Sequence, residues 1–308
     1  MDANAQQSIE RARRNEIRTR WLLSVPALFL IIVAGVGPML IVVVYSFLTP
    51  GSFGDVAWHF SIDGWTSVLF TRDVFDGSFY FADAHFLILW RSVKLAFSTT
   101  ILCLILGFPT AYFIASRAPH NRSLWLFLIT IPFWTNMLIR TFAIQEIIRG
   151  EGIINLVLMK AGLIHAPIQM MWTDFAIMAG MTYVFFPLMV LPLYASLERL
   201  DPRLIEAGYD LYASRFGVLW QVVVPLVKPG IIAGSILVFV PAMSSYVVPR
   251  VLGGGKNLMV GNLIELQFGQ GRNWPLGAAL SVTLVVIVLF AMVFYIRSSS
   301  KSRGSLHG

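Results

Sequence analysis

Six stretches of this chain are long and apolar enough to cross a bilayer, and they constrain the fold before any motif is considered. A hydrocarbon core of about 30 Å needs about 20 apolar residues in helical form. The sequence supplies such runs near 21–48, 88–115, 124–145, 174–197, 230–249 and 276–296. Only 13% of residues are charged, about half the fraction usual for a soluble domain. The chain therefore reads as an all-α polytopic membrane protein with six transmembrane helices. The first run holds Pro26 and Pro38 and exceeds the needed length, so it tilts or extends beyond the hydrocarbon. It is also far longer than the roughly 7–15 apolar residues of a signal peptide, which makes it a retained anchor. Arg91 and Lys94 stand near the outer end of the second run, where such side chains reach the interface.

An even number of spans places both termini on one side, and the basic residues say which. Arg11, Arg13, Arg14, Arg18 and Arg20 crowd the arm 1–20, which makes that side cytoplasmic. Arg117, Arg122, Arg199, Arg203, Arg215, Lys228, Arg297, Lys301 and Arg303 fall on the same side. The opposite segment 49–86 sets Asp55, Asp63, Asp73, Asp76 and Asp83 against one cation, Arg72. The organisation is thus a cytoplasmic arm, 1–20, one membrane domain, 21–297, and a cytoplasmic tail, 298–308. The net charge of +7 is spread over membrane flanks, so it sets topology and leaves the arm able to touch anionic lipid; it does not form a nucleic-acid surface.

Catalytic chemistry has no foothold. Gly253, Gly254, Gly255 and Lys256 come nearest to a phosphate-cradling loop, but Asn257 follows the lysine and the upstream glycine is missing. His59, His85, His120, His165 and His307 are scattered, and the single cysteine, Cys103, sits inside a span. No catalytic residue, metal site or resident cofactor is expected, and ATP is left to another chain.

The polar interlude LDPRLIEAGYDLYASRFGVLWQVVVPLVKPG, residues 200–230, is patterned more than a connector requires. Asp201 followed by Pro202 is a helix start. From there Leu204, Ile205, Gly208, Leu211 and Tyr212 are expected to share one face, with Arg203, Glu206 and Asp210 on another. Pro225 and Pro229 then punctuate the chain before the fifth span. Glu206, Ala207, Gly208, Tyr212, Val222, Val224 and Pro225 fall at the spacing of the EAA loop and resemble that loop in permease subunits of binding-protein-dependent ABC importers. In that family the helix-turn-helix docks in a groove of the cytoplasmic ATPase. Two letters depart from the pattern: Gly208 stands where alanine is usual, and Tyr212 where glycine is usual.

Further segments are similar to permeases of the spermidine/putrescine type, in particular the first of their two permease components. They include IPFWTN at 131–136 with Arg140 and Thr141, TYVFFPLM at 182–189, GIIAG at 230–234, and Pro241, Ala242, Val248, Pro249, Leu252, Gly253 and Gly254. The resemblance covers roughly residues 20–297. It implies a type I importer permease fold, a second homologous permease, two cytoplasmic ATPases carrying ATP and Mg, and a periplasmic or extracellular solute-binding protein.

Polar groups inside a membrane are costly and are functional candidates for that reason. They are Trp134, Asn136, Arg140, Asp174, Tyr183, Ser244, Ser245, Tyr246 and Arg250, with Glu265 in a segment expected to be a hydrated loop. Aromatic residues near span ends equally suit the interfacial belt, and Asp174 equally suits the cap of the fourth span. Ser244 and Ser245 occupy a place where many polyamine-type relatives carry an acid, and Arg250 stands near another. Polyamine is the leading solute, with an amino-acid-like or organic-acid solute as the alternative. A channel or ion-coupled transporter is the remaining class, although no repeated halves are visible.

Overall fold

The computed structural model describes residues 3–51, 54–72, 79–255 and 257–301; Asp73, Asp76, Lys256, Arg303, His307 and the tail beyond 301 lie outside them. The first helix, α1, runs through Ala3–Tyr45 and joins most of the basic arm to the first span, passing Pro26 and Pro38 without a break. Its end meets the bundle where Tyr45 lies 6.2 Å from Trp274, centroid to centroid. Two short antiparallel ladders follow, β1 (Leu48–Pro50) with β2 (Val56–Phe60) and β3 (Phe70–Arg72) with β4 (Phe79–Phe81), and helix α2, Asp63–Leu69, lies between them.

The bundle's centre is made by α3 (Asp83–Ala115), α7 (Asp174–Glu198) and α10 (Val224–Met243). Leu95, Cys103, Met181, Met189, Val190 and Val238 are buried between them. Helices α3 and α7 run in the same direction, with Arg91 beside Asp174 at one end and Gly107 against Met189 further along. Helix α10 runs against both. Its GIIAG segment is the contact: a Cβ on Gly230 would lie 2.7 Å from the Pro192 carbonyl oxygen, and one on Gly234 2.8 Å from Met189 Sδ. Small residues four apart let two helix backbones close together in a medium that offers no hydrophobic drive for association. At the end where α3 and α7 begin, Val68, Leu263, Leu276, Ala279 and Leu280 form a second cluster. It joins α2 to α12 (Val260–Phe268) and α13 (Trp274–Lys301).

Two expected spans come out differently. The third, expected over 124–145 as one helix, is a bent pair: Pro119–Trp134 and Met137–Lys160 meet at 97°. Within it, α4 (Pro119–Thr130) tightens into a 3₁₀ turn at Ile131–Trp134, and α5 (Met137–Ile148) and α6 (Ile153–Lys160) follow the bend. Thr135 is extended, and Asn136 restarts the helix by accepting the Leu138 N–H at 2.8 Å. Pro132 and this cap leave no continuous ladder across 131–137. Among the described residues five helices are long and apolar enough to cross as single spans, and a sixth crossing is reached only if the bent pair counts as one.

The fifth span, expected over 230–249, runs instead over Arg215–Met243. It rises directly from the loop that begins at Leu200 through α9 (Arg215–Val218) and a π turn, Leu219–Val223. Pro225 therefore lies inside a helix that was expected to start after it. A proline ring clashes with the carbonyl four residues back and has no N–H to donate; the π turn shifts that register. At the other end the helix stops at Met243, and Ser244, Ser245 and Tyr246 are non-helical before α11 (Val247–Leu252).

Candidate functional site

The loop 200–230 is built as two capped helices. Asp201 accepts the Arg203 N–H at 3.0 Å and starts α8, Pro202–Asp210, with Pro202 in its first turn. Ser214 accepts the Gly217 N–H at 3.2 Å and starts α9. Gly208 is buried against Val218 and Val222. Between the helices the chain turns on a Schellman motif, in which Ala213 N–H reaches the Gly208 carbonyl at 3.2 Å and Tyr212 N–H the Tyr209 carbonyl at 2.9 Å. Tyr212 is the left-handed residue of that motif, with φ of +59°. Glycine is the usual occupant because it has no Cβ to clash there; tyrosine holds the same conformation with its side chain 98% exposed.

Of the face expected from spacing, only Ile205 and Gly208 turn inward, while Leu204, Leu211 and Tyr212 are exposed. The Schellman turn ends the helical period at Asp210, so Leu211 and Tyr212 cannot follow it. Leu211, Tyr212, Phe216 and Trp220 add an exposed apolar surface beside exposed Glu206, Ala207 and Asp210. A cleft of about 600 Å³ separates the loop from the end of α3, with Tyr112, Arg117, Tyr209 and Phe216 on its walls. Glu198, just before the loop, accepts the Tyr194 hydroxyl at 2.7 Å and lies 3.7 Å from Arg122 of α4.

The path candidates divide into three groups. Where α5, α7 and α11 pack together, Arg140 is buried, donates to the Val184 carbonyl at 3.2 Å and lies 5.6 Å from the Phe133 ring centroid. Its Nε is buried without a partner among the described residues. Trp134 is exposed at the adjoining bend, Asn136 is committed to its cap, and Tyr183 is about one-third exposed.

The second group surrounds the interruption after α10. Ser244 is exposed and turns its hydroxyl back to the Val240 carbonyl at 3.3 Å, whereas Ser245 is buried with no partner for its Oγ among the described residues. Tyr246 is half exposed, and its carbonyl accepts from Asn262 Nδ2 at 2.7 Å. Arg250 is ion-paired with Glu265, which sits on α12 and not in a hydrated loop.

Asp174 stands apart. It does not cap α7; Thr173 does, accepting the Ala176 N–H at 3.2 Å. Asp174 occupies the first turn and is ion-paired with Arg91, in a cleft of about 400 Å³ that also contains Trp90 and Lys94. Sequence reasoning did not single out three polar residues: Thr99 and Thr182, both buried with hydroxyls that have no partner among the described residues, and Asn262, which ties α12 to the interruption. A hydroxyl inside an apolar run was the available signal for the first two.

Over residues 104–301 the chain matches the family described as binding-protein-dependent transport system inner membrane component. The chain belongs to this family. The permease is 40% identical over 263 residues to the spermidine/putrescine transport system permease protein PotB of Escherichia coli strain K12, covering 85% of this chain and 91% of that protein. Identity to PotB of Haemophilus influenzae is 38% over 262 residues, covering 85% and 87%. A bacterial alginate ABC transporter, solved in complex with an alginate pentasaccharide-bound periplasmic protein, superposes with a TM-score of 0.67 at 15% identity. That match covers 93% of this chain and 96% of that one, and it establishes the fold as that of an ABC importer permease. The permease is accordingly a multi-pass transport subunit of a bacterial inner membrane.

Proposed function

We propose that this permease is the first permease component of an ATP-driven importer for a polyamine such as putrescine or spermidine. One observation carries the solute class: identity of 40% over most of its length to a permease named for spermidine and putrescine. The termini lie in the cytoplasm, a second homologous permease completes the path, and an external binding protein delivers the solute. Two ATPases hold ATP and Mg and seat the loop around Glu206, Ala207, Gly208, Asp210 and Tyr212. The exposed acidic and apolar mixture on that loop supports a protein-docking role, and the chain itself has no phosphate-cradling sequence.

The loop transmits displacement because α9, the π turn and α10 form one continuous span. Nucleotide-driven closure of the ATPases would move α9 and, with it, the interruption at Ser244, Ser245 and Tyr246. The organic-acid alternative rested on the hydroxyls of Ser244 and Ser245 and on Arg250 as a cation; the pairing of Arg250 with Glu265 weakens the second of these. Purified with its partners and reconstituted in liposomes, the wild-type complex is expected to import labelled spermidine or putrescine with loaded binding protein and ATP. The Glu206→Lys complex is expected to assemble yet import little. Import of dicarboxylates but not polyamines would overturn the solute, and normal import by Glu206→Lys would overturn the docking role.

A further inference from the structure

Glu265 is the only acidic residue after Asp210 in the entire sequence. It is not placed at random on α12. Asn262, one turn before it, donates to the Tyr246 carbonyl at 2.7 Å, so this face of α12 is fixed against the interruption that ends α10. Arg250 is one turn beyond Tyr246 on α11, and the Arg250–Glu265 pair bridges the two short helices beside the gap. The gap lies at the end of α10 remote from the docking loop. By the topology proposed above, that is the side on which a binding protein delivers solute.

A polycation needs carboxylates to replace the water it loses, because a buried ammonium without an acceptor is heavily penalised. The interruption itself offers only the hydroxyls of Ser244 and Ser245 and the ring of Tyr246. Glu265 is the carboxylate the structure brings beside them, and it is already occupied by a guanidinium. Arg250 and Glu265 keep 59% and 37% of their side-chain surface exposed, and exposed pairs of this kind are weakly held and readily exchanged.

We infer that Glu265 receives an ammonium of the solute at the outer end of the path, and that Arg250 holds the place of that ammonium in the solute-free state. This rests on the polyamine reading. Arrival of a polyamine exchanges one cation for another on the same carboxylate, so the local charge balance is kept while Arg250 is released to solvent. A solute without a cationic group cannot make the exchange. The pair thereby selects for ammonium-bearing solutes, independently of the binding protein.

The test uses the complete complex in liposomes, with saturating spermidine-loaded binding protein, and reads uptake per ATP hydrolysed. Glu265→Gln is expected to lower uptake about tenfold or more, as loss of a charge-assisted hydrogen bond does. Glu265→Asp should recover much of it. Arg250→Gln is expected to stay at or above wild type, because the competing cation is gone. The charge swap, Arg250→Glu with Glu265→Arg, is expected to remain low. A purely structural ion pair predicts the opposite pattern: similar losses in both single variants and recovery in the swap, which would overturn the inference. Unchanged uptake in Glu265→Gln would do the same. Should Glu265→Gln fail to assemble, Arg250→Gln decides alone, since uptake below wild type contradicts a place-holding role. A wild-type complex that ignores spermidine and putrescine overturns the polyamine reading and the inference together, and so is distinguishable from failure of the inference alone.

Discussion

Gly208 of α8 and Val218 of α9 approach so closely that a methyl group on the glycine would lie 3.1 Å from Val218 Cγ2. The angle between the two docking-loop helices depends on that approach. Alanine, the usual residue of the motif, brings better helix propensity by about 1 kcal/mol and needs Val218 to yield by a few tenths of an ångström. Gly208→Ala is expected to assemble and transport within about twofold of wild type, the two effects being comparable in size. Gly208→Leu has no room, and co-purification of the ATPase with the permease is expected to fail.

Tyr212 carries a different cost. An L-residue in the left-handed region loses about 1 kcal/mol relative to glycine, and among the described residues Tyr212 is almost fully exposed, so little packing offsets that cost. Tyr212→Gly should therefore raise hydrogen-exchange protection at Ala213 and Tyr212, whose amides close the turn. If the ring also touches the ATPase, the same variant will lose coupling while its loop becomes more ordered. Opposite movement of the two readouts would identify the ring as a docking contact.

The α7–α10 contact tolerates less at one glycine than at its neighbour. A Cβ on Gly230 meets the backbone oxygen of Pro192 at 2.7 Å, whereas on Gly234 the nearest atom is the flexible Met189 Sδ. Gly230→Ala is expected to destabilise the detergent-solubilised protein by about 1–3 kcal/mol, and Gly234→Ala by less. Thermal unfolding of the two variants side by side checks the order.

Asn155 is fully buried and makes three hydrogen bonds, donating to the Arg149 and Ile168 carbonyls and accepting from the Ile168 N–H at 2.9 Å. Removing a buried partner leaves groups unsatisfied at about 1–3 kcal/mol each. Asn155→Ala should release the segment between α6 and α7, and limited proteolysis should then cut within 161–173 before any other site.

Asp174 offers a contrast with Glu265. It is paired with Arg91 and stands in the first turn of α7, an arrangement that accounts for it without a solute. Asp174→Asn is expected to keep uptake within about threefold of wild type, consistent with the modest worth of half-exposed pairs. A loss of about tenfold or more would instead put the residue on the solute's route.

How much of this was readable from the letters depends on the kind of signal. Asp201 with Pro202 is a local code, so α8 begins where it was expected. Four of the six apolar runs, those near 21–48, 88–115, 174–197 and 276–296, are summed over many residues and were equally plain. The bend at Asn136 and the stop after Met243 were not, because proline alone does not mark a break: Pro26, Pro187 and Pro241 all lie inside unbroken helices. What decides between passing and breaking is whether side chains such as Asn136 take over the orphaned backbone groups, and that is a tertiary outcome. The pairing of Arg250 with Glu265 was hidden for the same reason: fifteen residues separate them, and only the folding of α12 against Tyr246 brings them together.

The uninterrupted span Arg215–Met243 has a mechanical meaning beyond crossing the bilayer. Its 29 residues make a lever about 43 Å long at about 1.5 Å per residue. One arm is planted in the docking loop and the other ends at the gap beside Arg250 and Glu265. A tilt of about 5° at the base would swing the tip by roughly 4 Å over that length, comparable with the N–O reach of an ion pair. With the loop seated on an ATPase as proposed, small pivoting at one face of the membrane would be amplified into the making or breaking of a single electrostatic contact at the other.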